Sequence, residues 1–104
     1  MDPNFTAALA AEMNANAKLV ILRELSKMTD GRLNDAILEG VLDKFGHRRS
    51  RDWVRTQLRA LADIGALTTT EVGSVMVAEI TRAGIDHVDR RVVLEGVARP
   101  SPGG

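Results

Sequence analysis

The chain has 104 residues, enough for one modest hydrophobic core and too few for two. Apolar residues make up 44% and charged residues 27%, ordinary values for a folded domain, so wholesale disorder is excluded. There is no cysteine, which removes disulfides and thiolate metal sites, and the formal net charge is zero, which taken alone argues against a nucleic-acid partner.

The distribution of charge changes that reading. Residues 1–43 carry −3, residues 44–59 carry +5 and residues 60–104 carry −2. The positive charge is therefore gathered in one short window, which gives a neutral chain a cationic face. The aromatic residues are only Phe5, Phe45 and Trp53, so the core must be aliphatic. The N-terminal MDPNF lacks the cationic stretch of a secretory signal, and no apolar run approaches the roughly 20 residues that cross a bilayer. A cytoplasmic location without a membrane partner is expected.

In chain order, a first helix is predicted over 4–28, rich in Ala, with Asp2-Pro3 at its start and Leu9, Met13, Val20, Ile21 and Leu25 near one stripe. Gly31 ends it. Arg32-Leu33-Asn34 is the best candidate for a short strand. A second helix follows over 34–45, with Ile37, Leu38, Val41, Leu42 and Phe45 at three- and four-residue spacings. Gly46 and the turn His47-Arg48-Arg49 lead to Ser50, a good N-cap, and to a third helix over 50–65 that buries Val54, Leu58, Leu61 and Ile64. A hairpin over 67–80 turns at Gly73-Ser74, and Thr81 caps a short helix over 82–92. The tail 93–104 is expected to be irregular or disordered. One domain over residues 1–92 results: mainly α with a small β-hairpin, a winged helix-turn-helix of three helices, a two-stranded wing and a short C-terminal helix.

In that arrangement the third helix is the one that enters a DNA groove. Its outward face offers Asp52, Arg55, Thr56 and Arg59, with Arg51 on the flank and Arg48, Arg49 and Ser50 just before it. Arginine can fork onto guanine, whereas the loop arginines, a serine and a helix N-terminus suit phosphate. The alternative is a solvated face with intrahelical pairs such as Asp52 with Arg55 or Arg59 with Asp63. Trp53 is expected to pack on the hairpin or on the first helix. The hairpin tip Glu71-Val72-Gly73-Ser74 carries no cation and reads as scaffold. Two histidines forty residues apart, His47 and His87, do not make a metal site. No phosphate loop, catalytic triad or carboxylate pair stands out, so neither an enzyme nor a cofactor is expected. The surplus of small apolar residues in FTAALAAEMNANAKLVIL points to a homodimer through the first helix.

The stretch from Lys18 to Pro102, with SRDWVRTQL, LADIGALTTTEVG, ITRAGIDHVDRR and the closing GVARPSP, resembles small winged-helix proteins of Mu-like transposable phages and prophages, a group similar to ArsR-type transcriptional regulators. The resemblance implies a winged-helix fold, double-stranded DNA as partner and a role in phage or prophage transcription. It carries over to the recognition-helix positions Arg51, Asp52, Arg55 and Arg59. The cysteine motif of the ArsR-type metal sensors is missing, so metal-responsive repression is not implied. The competing expectation is an interaction module, either an adaptor in phage DNA packaging or a domain docking on a phage or host protein.

Overall fold

The computed structural model describes residues 2–101. Its elements run α1 (Pro3–Lys27), β1 (Arg32–Asn34), α2 (Asp35–Lys44), α3 (Arg51–Asp63), β2 (Leu67–Val72), β3 (Val75–Ile80) and α4 (Arg82–Val88). The three strands form one antiparallel sheet in the order β1-β3-β2. The expected two-stranded hairpin is thus a three-stranded sheet, with Arg32, Leu33 and Asn34 paired to Glu79, Ala78 and Val77.

Capping side chains set the helix starts. Asp2, with Pro3 behind it, accepts from the Asn4 amide at 3.0 Å; Asn34 accepts from Ile37 at 2.9 Å, and Ser50 accepts from Trp53 at 3.1 Å. Gly46 and Gly65, with φ of 94° and 78°, end α2 and α3 in the left-handed conformation that glycine adopts without strain. Gly73, with φ of 60° at the first position of a two-residue turn, suits the type II′ geometry that matches strand twist.

The core is aliphatic. Ala17, Leu19, Val20, Ile21, Leu22 and Leu25 of α1 meet Leu38 and Leu42 of α2, Val54, Leu58 and Leu61 of α3, and Leu67, Met76, Ala78 and Ile80 of the sheet. All of the α1 contribution comes from its second half; residues 2–13 are exposed. Leu9 and Met13, which fall on the stripe predicted for the first helix, therefore lie outside the core, as do Ile37, Phe45 and Ile64.

Beyond α4, which ends at Val88 rather than Val92, the chain is irregular but held. Val97 and Pro100 are buried, and the Ala98 amide donates to the Ala15 carbonyl at 3.1 Å. His87 is the anchor. Its Nδ1 accepts from the Leu94 amide at 3.0 Å and its Nε2 donates to the Ala98 carbonyl at 2.9 Å, so both ring nitrogens serve backbone and the tautomer follows. Residues 102–104 lie outside the described part of the chain.

Candidate functional site

The cationic window folds into the turn between α2 and α3 and the first three turns of α3. The predicted site residues divide there into two groups. Arg48, Arg49, Ser50, Asp52, Thr56 and Arg59 are exposed, whereas Arg51 and Arg55 turn inward to Asp35, the first residue of α2.

Asp35 is fully buried and takes four hydrogen bonds. Its Oδ2 accepts from Arg51 Nε at 3.0 Å and Arg55 Nε at 2.5 Å; its Oδ1 accepts from Arg51 Nη2 at 3.2 Å and the Met76 amide at 3.1 Å. Both guanidiniums also donate to the Ser74 carbonyl at the hairpin turn, at 2.9 and 2.7 Å. Burial alone would push the Asp35 carboxyl up. The Arg51, Arg55 and Met76 hydrogen bonds, with the charge of Arg55, outweigh it and hold the group far below the usual carboxylate range. The same pairing raises Arg51. One carboxylate thus ties the start of α2 to α3 and to the hairpin turn. The arginine side chains remain 36% and 23% exposed, so their outer edges still reach solvent.

This overturns the outward placement expected for Arg55, because a helical wheel of α3 treats the helix as if only the core lay on one side. The hairpin turn and α2 wrap that flank, and no pairing between neighbours on α3 competes with a buried carboxylate. The intrahelical pairs expected as the alternative do not form either, among the described residues. Asp35 is a site residue that the sequence does not single out. Its only signal is its place directly after a capping asparagine, where an acid also favours the helix dipole.

The exposed group is held differently. His47 is buried; its Nε2 donates to Asn16 Oδ1 of α1 at 2.8 Å, and its ring stacks on Trp53 with centroids 6.2 Å apart. Burial, and then the charge of Arg49, lowers its pKa, so the imidazole is neutral at physiological pH. The Arg49 guanidinium lies 4.5 Å from the Trp53 ring centroid, a cation–π contact. Trp53 therefore packs on the turn and against the core, and the His47 ring it stacks on is itself bonded to the first helix. Arg48 reaches Asp43 at 3.1 Å, an exposed pair worth little in water. Among the described residues neither Arg49 nor Arg59 makes an ion pair. On the α2 side, Glu39 and Asp43 share a surface cavity of about 370 Å³ with Arg48 and Arg49, which tempers the positive field of the turn.

Among the described residues no cluster of three His, Asp or Glu side chains could hold a metal, and no helix is long and apolar enough to cross a membrane. No protein-family model and no solved structure matches the chain. Two relatives do. A Haemophilus influenzae protein carrying only the name uncharacterized protein is 42% identical over 66 residues, which is 62% of this chain and 64% of that one. Uncharacterized protein gp26 of Escherichia phage Mu is 36% identical over 90 residues, 86% of this chain and 93% of the phage protein. The match with the phage protein runs through nearly all of both chains: this protein belongs to the family of Mu gp26.

Proposed function

We propose that the protein is a winged-helix DNA-binding protein serving a phage or prophage as a transcriptional regulator. The observation that carries the reading is the element order, in which a short strand, two helices joined by a cationic turn and a hairpin make one sheet ordered β1-β3-β2 around an α3 whose N-terminus is open to solvent. In this reading Arg48, Arg49 and the Ser50 end of α3 meet phosphate, while Asp52, Thr56 and Arg59 face the base edges. Arg51 and Arg55 act chiefly by fixing α3 against the hairpin, with their outer edges available to one phosphate.

Retention of duplex DNA at low and at physiological salt tests this. Replacing Arg48 and Arg49 together with Ala is expected to weaken binding on all sequences and to reduce the salt slope by about 2, roughly 0.9 for each phosphate no longer neutralised. Arg59→Ala is expected to cost about 1–3 kcal/mol on a selected site only. A chain that shows no duplex retention at about 50 mM salt contradicts the reading.

A second reading is favoured by one observation. The two arginines best placed on α3 are already bonded internally, and Glu39 and Asp43 flank the turn. A protein partner, in an adaptor or docking role, needs fewer free cations than a duplex does. Failure of duplex retention supports it.

A further inference from the structure

We infer that the projecting first half of α1 is a self-association surface, pairing antiparallel with the same segment of a second copy about a two-fold axis at Leu9. The inference goes beyond the DNA-binding reading and does not depend on it.

Phe5, Leu9 and Met13 are 57%, 45% and 42% exposed, although each is large and apolar. Their spacing of four residues turns only about 40° per step, so they form one stripe. The stripe lies on a stretch that contributes no residue to the core, whose first member is Ala17. A surface helix ordinarily turns such a stripe toward a packed neighbour, so this half of α1 gains from a partner along its apolar face.

The pattern of the stripe selects that partner. In an antiparallel pair centred on Leu9, Phe5 of one copy meets Met13 of the other and Leu9 meets Leu9. The flanking positions match as well. Asp2 faces Asn16, whose Oδ1 is taken by His47 and whose amide N–H groups remain to donate. Glu12 faces the Thr6 hydroxyl. A parallel pair would instead set Asp2 against Asp2 and Glu12 against Glu12. The same two acids disfavour a nucleic acid or an anionic bilayer as occupant. A segment of about 15 residues is smaller than the roughly 20–30 residues a side of a standard interface, so the dimer is reversible.

Sedimentation velocity on the full chain tests this. The wild type is expected to dimerise as protomer concentration rises to about 100 μM, the range of a modest interface. Leu9→Lys and Leu9→Glu should each be monomeric where the wild type is dimeric, and an equimolar mixture of the two should recover the dimer, which excludes misfolding as the cause. Because the chain has no cysteine, Leu9→Cys is expected to form a disulfide dimer under mild oxidation far faster than Ala7→Cys, which lies about 160° around the helix. A monomeric wild type over the whole range, a mixture that stays monomeric, or equal cross-linking at positions 7 and 9 would each overturn the inference.

Discussion

Replacing Asp35 with Asn removes one negative charge while keeping the volume of the side chain. In the wild type the carboxylate accepts four hydrogen bonds, three of them from guanidinium nitrogens. The amide offers one oxygen and turns an NH₂ group toward donors. Breaking a fully buried ion pair costs about 3–5 kcal/mol, and charge-assisted hydrogen bonds contribute about 1.5–3 kcal/mol each. Here the arginines keep a quarter to a third of their surface in water, which screens the pair and re-solvates them once released. A destabilisation of about 2–3 kcal/mol is therefore expected. For a domain of this length that lowers the melting temperature by about 10–20 °C at pH 7, as measured by circular dichroism.

The pH dependence follows from the direction of the shift. The folded Asp35 titrates far below its unfolded value of about 3.9, so its contribution is complete above that value and shrinks as pH falls below it. The gap between wild type and Asp35→Asn should hold from pH 7 to about pH 5 and then close by about 1.4 kcal/mol per pH unit below pH 4. A variant within about 0.5 kcal/mol of wild type at pH 7, or a gap that does not change with acid, would refute this account of the junction.

Three further outcomes are expected. His87→Ala leaves the Leu94 amide and the Ala98 carbonyl without partners, so it should cost about 3 kcal/mol and expose residues 94–100 to early proteolysis; unchanged cleavage there would contradict the anchoring role. Gly84→Ala would drive a Cβ into the Ala66 carbonyl oxygen, so α4 must shift, and the urea midpoint should fall by the equivalent of about 1–3 kcal/mol. His47 disfavours protonation in the fold, so the stability it contributes is complete above its unfolded pKa of about 6.5 and declines as pH drops through it; the urea midpoint should fall between pH 7.5 and 5.5 by less in His47→Gln than in the wild type.

The elements are largely legible in the sequence because each carries its own local signal. Asp2-Pro3, Asn34, Ser50 and Thr81 cap the four helices, and glycines close α2 and α3. The short strand is readable as Arg32-Leu33-Asn34, but its pairing with β3 spans more than forty residues and has no periodic trace. The same limit hides the site. The Asp35 junction joins residues 16 to 41 positions apart, and the wheel of α3 knows nothing of a flank wrapped by other elements. The tail gives a misleading signal, since Pro and Gly do read as irregular, yet an irregular segment can be tied down by one histidine that serves two backbone groups.

Trp53 is the one tryptophan of the chain, and its ring meets both the His47 imidazole and the Arg49 guanidinium. The protein's near-ultraviolet emission therefore originates almost wholly at the turn between α2 and α3. A ligand that draws Arg49 away changes the polarity over the indole, and a proton on His47 brings a quencher against it. Any molecule engaging the cationic turn can thus be followed by intrinsic fluorescence without a label, whereas an event confined to the far end of α1 stays dark.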